Sequence, residues 1–320
     1  MTGAPAIRRP GSRKLHMPAP VSDNFRGAAY MTVAMAAFAV NDTIIKAFAG
    51  ELALGQVILL RGMIASCLVF VLAWRLGHLR RPAVALHPLL VLRSVSETAA
   101  TFFFLNALFH IPIANASAIL QVLPLALTLF AALLLGEAVG WRRMTAILIG
   151  FIGVLVVVRP GMSGFSIYSI YALVAVVACV ARDLSTRRLH AGIPSMFITL
   201  VASLAVTTMG AALSLFETWQ PVSPRHVGLL VLSSAFLLTG YYTVISSMRV
   251  GDIGFVSPFR YAVLLFSAIG GMVFFDEYPD ALTWVGAAII VATGIYTLYR
   301  EHVVLRRSRA TAVPLSLRPS

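Results

Sequence analysis

The sequence predicts an all-α integral membrane protein with ten transmembrane helices arranged as two inverted five-helix repeats. Three observations predict it. The first is composition: 320 residues, 59% hydrophobic and 12% charged, with a mean hydropathy of +0.89, leave almost no chain for a separate soluble domain. The second is the stretch from Thr98 to Gly136, which holds no Asp, Glu, Lys or Arg. A hydrocarbon layer of about 30 Å takes about 20 helical residues, so the stretch is two crossings, broken at His110-Ile111-Pro112 where proline disfavours a continuous helix. The third is that basic residues alternate between the connections of successive apolar segments, as membrane topology requires.

Taken in order, residues 1–26 carry Arg8, Arg9, Arg13, Lys14 and Arg26 among prolines with no long apolar core. This reads as a disordered basic cytoplasmic tail, not a signal peptide. Ten apolar segments follow, near 28–48, 55–74, 87–108, 114–136, 144–160, 167–185, 195–216, 227–248, 253–275 and 281–299, each about long enough to span. In the third, Arg93 and Glu97 are four residues apart, share a helix face and can neutralise each other where a lone charge is costly. In the fourth, Ser117, Gln121, Pro124 and Thr128 form one polar stripe that lipid would not accept. Residues 302–320 are a second basic tail.

Sorting basic residues by alternate connection gives one side the N-terminal group, Arg75, Arg80, Arg81, Arg142, Arg143, Arg182, Arg187, Arg188, Arg249 and the C-terminal arginines from Arg300 onward. The other side receives only Arg159 and Arg225. That asymmetry predicts ten spans with both termini cytoplasmic, because a miscounted helix would scramble the alternation after it. The net charge of +13 therefore sets topology and does not point to nucleic acid. Cys67 and Cys179 lie inside apolar runs, indicating neither a disulfide framework nor a thiolate metal site.

The chain repeats itself. Adding 141 carries Tyr30, Val33, Ala34, Ala37 and Asp42 onto Tyr171, Val174, Ala175, Ala178 and Asp183, and the pair Asp42/Lys46 onto Asp183/Arg187; adding 140 carries Ser117 onto Ser257 and Glu137 onto Glu277. The units are 27–160 and 161–301. Five spans being odd, the second unit enters from the opposite face, the arrangement of secondary transporters that alternate access around a site at the repeat interface.

Leu60-Arg61-Gly62, Ala114-Asn115-Ala116, the Pro124 to Glu137 run, Gly150 with Gly153, and Trp284, Gly286 and Gly294 together resemble the drug/metabolite transporter superfamily, in its bacterial EamA-type branch, over about residues 27–300. The strings Ser96 to Thr101, Asn115 to Gln121 and Arg182-Asp183-Leu184 look most like the riboflavin transporters of that superfamily. The resemblance implies a multi-pass protein of the bacterial inner membrane moving a small metabolite. Riboflavin uptake is the leading expectation; export of aromatic amino acids or other metabolites, or S-adenosylmethionine transport, is the alternative. A membrane-embedded enzyme is the distant rival, since six of the histidines lie in tails, loops or span ends and no H-E-x-x-H occurs.

The residues expected to bind substrate are Arg93, Glu97, Gln121, Tyr241, Arg260 and Tyr261, with Asp42, Lys46 and Arg61 assigned to coupling or gating. Intramembrane ionisable groups are functional by default, although the Asp42/Lys46 and Arg93/Glu97 pairs could equally be neutral packing pairs, Lys46 could snorkel, and Arg61 could anchor a helix contact. Gln121 and Tyr261 occupy matching positions in the two halves, as suits an organic ligand at a midplane. Glu137 and Glu277 read as span-end residues at the membrane surface. The cavity is expected between spans one, three, four, six, eight and nine, outside spans five and ten, whose small residues offer close helix contacts and an interface for a homodimer. The partners expected are a small-molecule substrate and membrane lipid, with no nucleic acid, no cofactor, no metal and no catalytic residue.

Overall fold

The computed structural model describes residues 21–79, 82–136, 139–162, 165–190 and 192–311, with side chains up to residue 300. Most of both basic tails, Arg80, Arg81 and Glu137 lie outside the described residues. Ten helices are long and apolar enough to cross a membrane. They are α1 (Val21–Lys46), α2 (Leu54–Arg75), α3 (Pro88–His110), α4 (Ile113–Leu120, resuming as Leu123–Leu135), α5 (Trp141–Val158), α6 (Ile167–Arg188), α7 (Ser195–Ser214), α8 (Pro224–Val250), α9 (a 3-10 turn Ser257–Tyr261 leading into Ala262–Phe275) and α10 (Ala281–Thr311).

Local chemistry sets the ends. Pro88 and Pro224 stand in the first turns of α3 and α8, where a missing N–H is harmless, and Ser223 with His226 forms a capping box at the start of α8. Gly136 closes α4 in the left-handed region at φ 67°, which glycine adopts without strain. Pro124, which has no N–H to donate to Leu120, accounts for the break in α4 at Gln121 and Val122. Pro258 stands at the matching interruption of α9.

Most helices of the first half pack mainly on one of the second: α1 on α8, α2 on α7, α3 on α6 and α5 on α10, while α4 packs mainly on α6 and α9 on α1. Shifting each helix by five exchanges α1–α8 with α6–α3 and α4–α6 with α9–α1, and returns α2–α7 and α5–α10 to themselves, which is the signature of a two-fold relation between the halves. Glycines let the self-paired helices approach closely. A Cβ on Gly153 would meet the carbonyl oxygen of Gly286, and one on Gly210 would meet the backbone of Leu59. The small residues of α5 and α10 are thus used against each other within one chain, and the close contacts expected of them are intramolecular.

The apolar core is continuous at one end and divided at the other. Ile44, Ile45, Phe48 and Leu52 join a large cluster that runs through α2, α3, α4, α5 and α6. Towards the end that carries Arg75, Arg142, Arg188 and Arg249, α1 packs instead with α8 and α9 through Met31, Ala34, Met35 and Val256, while Leu90, Phe197 and Ile198 form a third cluster between α3 and α7. At this basic end the apolar contacts therefore fall into more than one cluster. The Lys46 end has none of that division.

Candidate functional site

Two groups of ionisable residues lie within the spans. Asp42 lies about 6 Å, four residues, inside the Lys46 end of α1, and Arg61 about 10 Å inside α2, at 1.5 Å per residue. The Arg61 guanidinium donates to Asn41 Oδ1 at 3.3 Å, and the Asn41 amide donates to Asp42 Oδ1 at 2.8 Å. From the basic end, Glu97 is about 14 Å inside α3 and Arg182 about 9 Å inside α6. The Glu97 carboxylate is shared between Arg182 at 3.4 Å and Arg93 at 3.8 Å; Arg182 also binds Asp183 at 2.8 Å, and Arg93 Nε donates to Thr186 Oγ1 at 3.0 Å.

Tyr241 lies at mid-depth of α8, which packs on α1 and α2. Its ring packs edge-on against Phe38 at 5.4 Å, yet 55% of its surface is accessible. Tyr241 therefore combines an aromatic contact with α1 on one side and open space on the other. The charges of the two groups lie on α1, α3 and α6, which the sequence placed around a cavity, and Arg61 adds α2 to that set.

The other expected residues fall elsewhere. Gln121, in the break of α4, donates from Nε2 to the carbonyl of Arg260 at 3.2 Å, so it ties the two interrupted helices together. The Arg260 side chain is exposed. Tyr261 is 6% accessible, and a Cβ added to Gly294 of α10 would overlap its hydroxyl, which has no partner among the described residues. The matched spacing of Gln121 and Tyr261 predicted two groups facing one ligand; the 3-10 turn of α9 changes the facing of its residues and sends Tyr261 into the α10 contact instead.

The pairing expected within α1 is also corrected. Lys46 does not pair with Asp42: its ammonium meets Glu277 Oε1 at 2.7 Å and the carbonyl of Ile111 at 2.5 Å, and it is only 6% accessible, so it does not snorkel. Glu277, read from sequence as a surface residue, also accepts from the backbone N–H of Ile113 at 2.9 Å, capping α4. One carboxylate therefore fastens α1, the α3–α4 turn and the end of α9. Around this latch, Glu51 binds Arg225 at 3.1 Å and His226 at 3.0 Å, the side chain of Gln56 exchanges hydrogen bonds with the backbone of Gln220, and Arg159 pairs with Asp280. Outside the spans, hydrogen bonds from His226 and Arg225 hold the Glu51 carboxyl below its ordinary range. Arg159 does the same to Asp280.

Sequence reading missed Arg182 and Glu277. It had assigned Arg182 to a connection, but the helix of α6 runs to Arg188 and takes Arg182 inside, opposite Glu97. The signal for Glu277 was present in the repeat, which carries Lys46 onto Arg187 and Glu277 onto Glu137: two opposite charges recurring together suggest a pair.

The family model of the EamA-like transporter family matches residues 25–159 and again residues 166–300. The chain is 27% identical to the pseudopaline exporter of Pseudomonas aeruginosa, over 84% of this chain and 94% of that protein. It is 26% identical to a riboflavin transporter of Vibrio cholerae over 64% and 68%, and 25% identical to an S-adenosylmethionine uptake transporter of Rickettsia prowazekii over 59% and 64%. A solved crystal structure superposes with a TM-score of 0.57 over 86% of this chain and 98% of that one, at 21% identity, which shows the fold alone.

Proposed function

The chain belongs to the EamA-like transporter family, and from that premise we propose that it carries a zwitterionic, amino-acid-like metabolite across the cytoplasmic membrane by alternating access. The observation that carries the reading is a pair of charge groups inside the spans, Arg61 with Asn41 and Asp42, and Glu97 with Arg93 and Arg182. A neutral flavin would leave these charges without new partners in a desolvated cavity, whereas a substrate with a carboxylate and an ammonium held apart supplies both. Arg61, which donates to Asn41 Oδ1 at 3.3 Å, takes the carboxylate. Glu97, held at 3.4 and 3.8 Å by two arginines, takes the ammonium, and Tyr241 sits against the substrate body.

The named relatives supply candidates of both kinds, and riboflavin remains the competitor because of the Vibrio cholerae relative. Proteoliposomes containing the purified chain decide between them by counterflow of a labelled aromatic amino acid, S-adenosylmethionine and riboflavin. The proposal expects saturable exchange of a zwitterion that is lost in Arg61→Gln and Glu97→Gln. Saturable riboflavin exchange with neither zwitterion moving would sink the substrate class and leave the family assignment untouched.

A further inference from the structure

Away from these charge groups, α5 and α10 enclose a surface cavity of about 420 Å³ lined by Trp141, Arg142, Thr145, Ile149, Ala292 and Tyr296, among others. Its two ends differ chemically. At the basic end of α5 the Arg142 guanidinium stands 5.3 Å from the centre of the Trp141 ring, both side chains are exposed, and Arg142 makes no ion pair with any described residue. About 10 Å further along α5, at 1.5 Å per residue, the lining becomes Ile149 beside Ala292, with buried Ala146 as part of the floor. The polarity runs along the membrane normal: a cation flanked by interfacial aromatics, then an apolar slot entering the hydrocarbon layer.

We propose that this groove binds an anionic phospholipid, with its phosphate on Arg142 and the upper part of one acyl chain between Ala146, Ile149 and Ala292. Charge complementarity selects the occupant. A free anion would leave the apolar part unfilled, and an acyl chain alone would leave Arg142 and the polar rim of Thr145 and Tyr296 without use. A guanidinium beside tryptophan at the membrane interface suits a lipid phosphate. The site lies on the outer face of the α5–α10 pair, apart from Tyr241 and the two charge groups, so it is independent of which substrate is carried.

The test uses the full-length chain in mixed micelles with brominated phosphatidylglycerol or brominated phosphatidylcholine, reading the quenching of tryptophan emission that is absent from Trp141→Phe. The expected result is half-quenching by phosphatidylglycerol at a lipid fraction at least threefold lower than by phosphatidylcholine. Arg142→Gln should abolish that preference, and Ala292→Phe, an exposed position that fills the slot without entering the core, should weaken binding of both lipids. Arg225→Gln, at the opposite end of the molecule, should leave the preference unchanged. Equal quenching by the two lipids, a preference that survives Arg142→Gln, or displacement of the lipid by glycerol 3-phosphate alone would overturn the proposal.

Discussion

The two ends of this molecule are built from related halves and are nevertheless packed differently. At the Lys46 end one apolar cluster runs from α1 into α2 through α6, and Glu277 fastens α1 to the α3–α4 turn. At the basic end α1 shares a smaller cluster with α8 and α9, separate from that between α3 and α7. Inverted repeats related by a two-fold would make the two ends equivalent if the structure obeyed the relation fully. The departure from equivalence is informative, because a transporter that alternates access has one end closed and the other parted at any moment. The Lys46 end is the one that the structure shows fastened, through Lys46, Ile111 and Ile113 on one carboxylate-centred latch.

The largest expected effect comes from the two charge groups that lie between these ends. Glu97→Gln or Arg61→Gln removes a charge-assisted contact to substrate worth about 1.5–3 kcal/mol, which corresponds to a roughly ten- to hundredfold loss of transport. Initial rates in proteoliposomes at matched protein content measure it. Rates within about twofold of wild type for both variants would remove these residues from the path.

Next comes the latch. Removing one partner of a buried ion pair costs about 3–5 kcal/mol, and Lys46 and Glu277 side chains are 7% and 21% accessible. Glu277→Gln is therefore expected to part the Lys46 end: a cysteine placed at Asn115, which accepts from Thr283 at 3.1 Å, should react with a membrane-impermeant maleimide several times faster than in the parent. The reversed pair Lys46→Glu with Glu277→Lys should restore part of the protection. Equal labelling of parent and Glu277→Gln would mean that the bond does not close this end.

How much of this was legible in sequence depends on whether a feature is periodic or tertiary. The ten spans and the repeat follow from hydropathy and from residue identities 140 or 141 apart, and both survive in the structure because a span's length is fixed by the membrane. Arg93 with Glu97 was legible because a four-residue spacing on a helix implies contact. Lys46 with Glu277 was legible only through the recurrence of both charges in the repeat, since helix spacing offered Asp42 as the nearer partner and nothing local says that the α9–α10 connection folds over α1. Tyr261 was misplaced for the converse reason: repeat alignment preserves the position in the chain but not the rotation of a helix that begins with a 3-10 turn.

Tyr261 supplies a smaller effect that sharpens the distinction between path and packing. Its hydroxyl has no partner among the described residues, so Tyr261→Phe is expected to keep transport within about twofold of wild type and to change the melting temperature little. Gly294→Ala drives a methyl into the same ring and should lower the melting temperature, because overpacking a filled site costs about 1–3 kcal/mol. A tenfold transport loss in Tyr261→Phe at unchanged stability would return Tyr261 to the substrate path.

The smallest expected effect concerns the surface bonds around the Lys46 end. Glu51 is held by His226 and Arg225, and its carboxyl titrates below its ordinary value of 4.5. A carboxyl whose folded pKa is lowered stabilises the fold above its unfolded value, and that contribution fades as pH falls through the folded value. Glu51→Gln should therefore melt slightly below wild type at neutral pH, with the gap closing only below about pH 4.5, where the unfolded-state carboxyl also becomes protonated. Because the site is exposed to solvent, the gap should also shrink in high salt. Melting curves of both proteins from pH 3 to 7 measure it, and a gap that instead widened on acidification would mean that the carboxylate is held against its charge.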